Sequence, residues 1–323
     1  MNTGLKISAF AAALAATFGT AYGVGQGVDP VVGGEQPAAH GGHEEKKGAT
    51  EGGGHGRHRT APAGGLQISE GGYTLALETP RVAAGDRTKL RFSIQDENGR
   101  KVTAYEREHG KELHFIVVSR DLTVYRHLHP TRAADGTWST SAGLPAAGDY
   151  RAFADFKPAK KGAAGVTLGA DLAVPGKYTP APLPAPDATA EVDGYEVTLT
   201  GGLRPGRSGE LRLNVAKDGK PVTDLQPHLG AYGHLVALRS GDLAYLHVHP
   251  NGEPGDGATK PGPEISFTAT APSPGTYRLF LEFRHEGGVR TAAFTVEAGK
   301  GKGAGDAEPA ADQHGQEAPG HEH

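Results

Sequence analysis

The 323 residues are enough for two ordinary domains and few for three. Lys and Arg number 33 against 37 Asp and Glu, a net charge of −4 that makes no electrostatic case for nucleic acid. Cysteine is absent and Met1 is the single methionine, which removes disulfides, thiolate zinc sites, iron–sulfur clusters and cysteine-ligated copper together, so any metal chemistry must use the 16 histidines.

Residues 1–23 read as a signal peptide or N-terminal anchor. Lys6 is their only charge, and an apolar run from Ile7 to Tyr22 ends in small residues. The run is mostly Ala, Gly and Thr, so its transfer into lipid is only weakly favourable and cleavage is favoured over retention as a transmembrane helix. No Cys follows it, which excludes a bacterial lipoprotein anchor. Residues 24–65 form a His-rich linker carrying His40, His43, His55 and His58, and residues 299–323 a tail carrying His314, His321 and His323. Both have too little apolar bulk for a core and read as disordered. They are either solvated linkers or weak metal-capture segments that raise the local ion concentration.

Residues 66–174 and 188–298 read as all-β, joined by a stiff Pro-rich connector at 175–187. Leu90, Phe92 and Ile94 alternate with Arg91, Ser93 and Gln95, and Leu211, Leu213 and Val215 with Arg212, Asn214 and Ala216. Period-2 alternation marks strands with one buried face. Further strands are predicted at 73–79, 113–118, 123–129, 149–156 and 167–174, with counterparts at 195–200, 234–238, 243–249, 276–283 and 289–296. About seven strands in some 110 residues predict two tandem immunoglobulin-like β-sandwich domains. Trp138, in the turn-like run DGTWST, is expected in the core.

The two segments are repeats of each other. Gly148-Asp149-Tyr150-Arg151 answers Gly275-Thr276-Tyr277-Arg278. LHFIVVSRDLTVYRHLHP (Leu113 to Pro130) answers GHLVALRSGDLAYLHVHP (Gly233 to Pro250). In each block a His is followed 13 residues later by His-x-His-Pro, so His114, His127 and His129 correspond to His234, His247 and His249.

Each block predicts a hairpin turning at Arg120-Asp121 or Ser240-Gly241. That register sets His114 opposite His127 and His234 opposite His247, with His129 and His249 two residues on and on the same face. Three imidazoles at one rim suit Cu(II) or Zn(II) and leave room for water or a fourth ligand. His109 and Glu112, with Glu108, precede the first site, His228 precedes the second, and His285 follows Phe283, so additional ligands and unequal affinities are expected. His-x-His-Pro can also be strand-end architecture, with Pro closing the sheet edge. However, Phe115, Ile116, Val117 and Val118 make both faces of the hairpin apolar, and unliganded imidazoles there would need other partners.

The block HFIVVSRDL…YRHLHP, followed by GDYRAFADF, resembles the secreted, duplicated heavy-metal-binding or YtkA-like proteins of high-GC Gram-positive bacteria, over residues 67–297. The resemblance implies an Ig-like fold and an extracytoplasmic, metal-linked role, and its pattern falls on His114, His127, His129, His234, His247 and His249. The expected function is a non-catalytic exported protein that holds copper, with zinc as the alternative, for sequestration or for transfer to a membrane metal transporter or another exported metal protein. A cell-surface structural or interaction module with incidental histidines is the competing class. No Ser or Cys nucleophile motif and no carboxylate placed as a general base supports an enzyme.

Overall fold

The computed structural model describes residues 63–299, apart from His247 and the side chain of His249. The expected signal, most of the His-rich linker and the tail lie outside these residues. Among the described residues no helix is long and apolar enough to cross a membrane.

The first repeat runs β1 (Ser69–Glu70), β2 (Tyr73–Leu77), β3 (Gly85–Gln95), β4 (Tyr105–Glu106), β5 (Leu113–Ser119), β6 (Tyr125–Leu128), β7 (Thr131–Arg132), β8 (Thr137–Leu144), β9 (Gly148–Pro158) and β10 (Val166–Val174). The second runs β11 (Thr189–Val192), β12 (Tyr195–Gly201), β13 (Ser208–Lys217), β14 (Lys220–Pro221), β15 (Gly233–Arg239), β16 (Tyr245–Leu246), β17 (His249–Pro250), β18 (Glu264–Thr270), β19 (Gly275–His285) and β20 (Gly288–Ala298). One sheet of the first repeat has the order β1-β2-β3-β8-β7 and the other β10-β9-β5-β6; the second repeat matches them with β11-β12-β13-β18-β17 and β16-β15-β19-β20. Apart from an added edge strand, β1 or β11, these are the A-B-E-D and G-F-C-C′ orders of an immunoglobulin-like sandwich. The tyrosine corner of that fold is present in both halves: the Tyr150 hydroxyl donates to the Ala146 carbonyl (2.8 Å) and that of Tyr277 to Ser273 (2.7 Å).

Alternation builds each core. Leu90, Phe92 and Ile94 are buried in the first repeat, where Phe92 stacks on Phe115 of the facing sheet with ring centroids 4.1 Å apart. Leu211, Leu213 and Val215 fill the same place in the second. Trp138 sits in this first core at the start of β8, a strand rather than the expected turn, and donates its indole N–H to the Tyr105 hydroxyl.

A third cluster lies between the repeats. Ile116, Val118, Leu122, Tyr125 and Phe153 of the first pack on Val236, Leu238, Leu243, Tyr245 and Phe280 of the second. Tyr125 stacks on Phe280 (4.1 Å, 9°) and Tyr245 meets Phe153 (5.7 Å), an exchange of equivalent partners about a pseudo-two-fold axis. Every residue of β5 is therefore buried: Leu113, Phe115 and Val117 face their own sandwich, while His114, Ile116 and Val118 face the other repeat. The connector is laid along this seam, with Leu183 against the cluster and the Ala181 N–H donating to Asp121.

Gly64 and Gly65, which by sequence close the linker, also bridge the repeats. The Tyr245 N–H donates to the Gly64 carbonyl and the Gly65 N–H to Thr167. Arg151 clamps the Gly65 carbonyl through Nε and Nη2. This carbonyl lies so close to β10 that a Cβ on Gly169 would sit 2.0 Å from it, and only glycine fits there.

Candidate metal centre

The hairpin register differs from the expected one by one residue at the turn. Ile116, not His114, lies opposite His127, and Val118 opposite Tyr125; in the second repeat Leu238 lies opposite Tyr245. The loop is therefore centred on Asp121-Leu122 and Gly241-Asp242. Two local forces fix it. The Asp121 carboxylate accepts from Ser119 Oγ and from the Thr123 N–H and hydroxyl. Leu122 and Leu243 take left-handed backbone (φ 61° each) so that their side chains enter the apolar cluster between the repeats. The pairing changes by an even number of residues, so His114 and His127 keep a common face.

Three imidazoles do converge in the first repeat. One ring nitrogen from each of His114, His127 and His129 lies within 4.8 Å of the others. His114 comes from β5 and His127 from β6, while His129 sits where the chain leaves that hairpin for β7 in the opposite sheet. His-x-His-Pro is thus both the crossover between sheets and the source of two site residues.

The hydrogen bonds sort the ring nitrogens. His127 Nδ1–H donates to Glu282 Oε2 at 2.6 Å, and this carboxylate comes from β19 of the other repeat. His114 Nε2–H donates to the Glu108 carbonyl at 3.3 Å. In these tautomers His127 Nε2 and His114 Nδ1 both carry lone pairs, yet they face each other across 3.0 Å. Two nitrogens about 2.0–2.1 Å from a shared ion, at about 90–109° to each other, would be about 2.8–3.4 Å apart. His129 Nε2 is buried with no hydrogen-bond partner among the described residues. The donor set fits a borderline divalent cation, and Glu282 is placed where a carboxylate would orient His127 toward one.

His234 repeats the His114 arrangement. Its Nε2–H donates to the His228 carbonyl (2.9 Å), the counterpart of Glu108, leaving Nδ1 as the bare nitrogen. Histidines of the two halves meet where the repeats face each other. The seam joins them: the His234 ring is 6.4 Å from those of His114 and His127, 5.3 Å from His109 and 6.0 Å from His228. The His228 ring is also 6.3 Å from His129.

Two candidate ligands are directed elsewhere. Glu112 pairs with Arg132 (3.1 Å). His285 faces the interior of its own sandwich, with Nδ1 at the Tyr195 hydroxyl (2.7 Å) and Nε2 at Asp224 (3.0 Å), because it shares the strand face of Phe283 rather than that of Glu282. His247 and the His249 side chain lie outside the described residues. Glu282 was missed by sequence reasoning. Its signal was a carboxylate in the same place in two aromatic strands, Ala154-Asp155-Phe156 and Leu281-Glu282-Phe283.

Burial pushes the His114 imidazole down to about 2, helped by His127 beside it. It pushes His129 to about 3, again with His127 acting in the same direction, and His234 to about 4 against the opposing effect of its bond to the His228 carbonyl. All three are neutral in the folded chain, whereas an unfolded imidazole takes up a proton below about pH 6.5. The unfolded state then binds more protons, so stability is full above that value and is lost on acidification toward the folded values, at up to about 1.4 kcal/mol per pH unit and group. Urea midpoints of the metal-free chain should therefore fall between about pH 7 and about pH 5. A flat profile would contradict neutral burial.

Comparisons with known proteins place the chain in a family without settling its chemistry. No curated protein matches. Among solved structures, a DUF4426 family protein from Pseudomonas aeruginosa is 12% identical with a TM-score of 0.25, over 34% of this chain and 96% of that one. The Escherichia coli adhesin FdeC is 15% identical with a TM-score of 0.21, over 74% and 66%. Invasin, a bacterial integrin-binding protein, is 14% identical with a TM-score of 0.21, over 72% and 41%. The sandwich assignment rests on the strand order above. The model described as Domain of unknown function (DUF8832) matches twice, at residues 67–168 and 190–300, together more than half of the chain. The chain therefore belongs to the DUF8832 family, and carries its domain in tandem.

Proposed function

We propose that this is an exported, non-catalytic metal-binding protein that holds a divalent ion at His114, His127 and His129, Cu(II) ahead of Zn(II). The observation that carries this reading is the pair of lone-pair nitrogens of His114 and His127, 3.0 Å apart with their other nitrogens already engaged. An imidazolium at His127, paired with Glu282, would bridge the two nitrogens by a proton instead, but it leaves the buried nitrogen of His129 without a partner. An ion satisfies these nitrogens, and the orphaned nitrogen of His129, at once. Copper(II) precedes zinc because imidazole sites favour it in the divalent series, and the absence of Cys and of any Met beyond Met1 disfavours Cu(I). Export rests on the apolar N-terminal run. An enclosed imidazole site suits sequestration, or delivery to a membrane transporter or another exported metal protein.

Titrating the full chain with Cu(II) and with Zn(II), beside His127→Ala/His129→Ala, tests the reading. The double variant should bind one ion fewer, and wild type should prefer Cu(II). Equal stoichiometry in the two proteins would assign all binding to other histidines and favour the interaction-module class.

A further inference from the structure

We infer that the seam between the repeats holds a second cation, ligated by His234 Nδ1 of one repeat and the His109 imidazole of the other, so that the chain carries a two-metal centre. This rests on the three-histidine reading, because His114 and His127 wall both positions.

A cavity of about 40 Å³ opens between the sandwiches, lined by His109, His114, His127, His234 and Asp155 among others. At about 10–15 Å³ for each water, that volume admits a few waters or a small cation with a water or two. Four imidazoles and a carboxylate share the cavity wall with apolar residues such as Leu235 and Val236, and this polar set suits a positive charge. Asp155 is the register partner of His114 on β9, as Glu282 is of His234 on β19, so each histidine has a carboxylate beside it on its own sheet. Asp155 Oδ1 accepts from the Thr167 hydroxyl (2.9 Å), which fixes the carboxylate at the cavity wall.

His234 is prepared as a ligand in the same way as His114. Its Nε2–H is committed to the His228 carbonyl, with Leu229 O also near at 3.2 Å, and Nδ1 is left as the lone-pair atom. His109 breaks the symmetry between the repeats. It occupies the left-handed position (φ 50°) of a tight turn closed by Glu108 and Lys111, and its counterpart in the matching turn is Leu229 (φ 54°). The backbone is the same, but only the first repeat places an imidazole there. That ring lies 5.3 Å from His234, across the seam, and 6.2 Å from His114 of its own repeat. His109 is exposed, so the second position opens to solvent while the first is enclosed. The outer ion is the weaker of the two and the first to exchange.

The test is electron paramagnetic resonance of the full-length chain, with the seven tail histidines replaced by Asn, titrated with Cu(II) alone. One equivalent should give an isolated signal. A second should broaden it and add the half-field transition of two neighbouring spins. His109→Ala/His234→Ala should keep the first signal and lose the coupled one. His109→Ala alone, at an exposed position that spares the fold, should weaken the second ion by at least the roughly 10-fold that loss of an outer partner costs. Two bound but isolated spins, a single bound ion, or a coupled pair that survives in the double variant would each overturn the two-metal centre and leave the first site standing. Failure to bind even one ion would overturn the three-histidine reading, and this inference with it.

Discussion

Phe280→Ala should destabilise the chain by about 3–5 kcal/mol, the cost of emptying a well-packed aromatic site. Phe280 is 3% exposed and lies on the outward face of β19, stacked on Tyr125 of the other repeat. Its loss opens a hole beside Tyr125, whose hydroxyl is already buried without a hydrogen-bond partner among the described residues. Glu282 stands two residues further along the same face, so a loosened seam also withdraws the carboxylate from His127. Phe267→Ala supplies the contrast. Phe267 is wholly buried in the core of the second sandwich and is not part of the inter-repeat apolar cluster, so it should cost similar stability while metal affinity at His114, His127 and His129 in the folded fraction is kept. Urea unfolding at constant m-value, followed by Cu(II) binding under conditions where each variant is folded, separates the two effects. A Phe280→Ala chain within about 0.5 kcal/mol of wild type, the range of an ordinary surface change, would mean that the repeats do not depend on this contact.

What could be read from the sequence was what periodicity and duplication encode. Leu90-Phe92-Ile94 and Leu211-Leu213-Val215 identified buried strand faces, because side chains on a sheet alternate strictly. The constant spacing of His114, His127 and His129 put three imidazoles together through parity alone, and parity survived a turn that was misplaced by one residue. The turn was misplaced because Arg120-Asp121 is the polar pair in an apolar run, and the apolar Leu122 does not read as a loop residue. In fact it is a left-handed loop residue whose side chain is drawn into the inter-repeat cluster. The same omission hid the seam. Val236 and Leu238 on the His face of β15, like Ile116 and Val118 on β5, had no partner in a single sandwich; an unbroken apolar run marks a strand covered on both sides. Short edge strands such as β4 and β7, two residues each, leave no periodic trace to detect. Glu282 was overlooked for a different reason: the repeated carboxylate, Asp155 and Glu282, marks a position in the strand but not its partner. Its partner is 155 residues away, and no local pattern reports a contact created by the docking of two domains.

Glu282→Gln should lower metal affinity by about 10–100-fold while changing stability little, which would set a tuning role apart from a packing one. The Glu282 and His127 side chains are only 9% and 4% exposed, so their 2.6 Å hydrogen bond is shielded from solvent. A carboxylate in such a place does two things to an imidazole. It holds the proton on Nδ1, which leaves Nε2 as the lone-pair atom facing His114, and its charge makes that lone pair more basic. Glutamine keeps a hydrogen-bond acceptor of the same length and removes the charge, so orientation persists and basicity falls. Alanine removes both and leaves Nδ1–H buried without a partner, so Glu282→Ala should lose more affinity and also cost about 1–3 kcal/mol of stability. The ordering wild type, then Gln, then Ala, read by competition with a chelator at fixed pH, is the expected result. Affinities of all three within about twofold, well short of the loss of an outer carboxylate partner, would show that His127 needs no help from the second repeat. The two sandwiches would then be neighbours rather than parts of one centre.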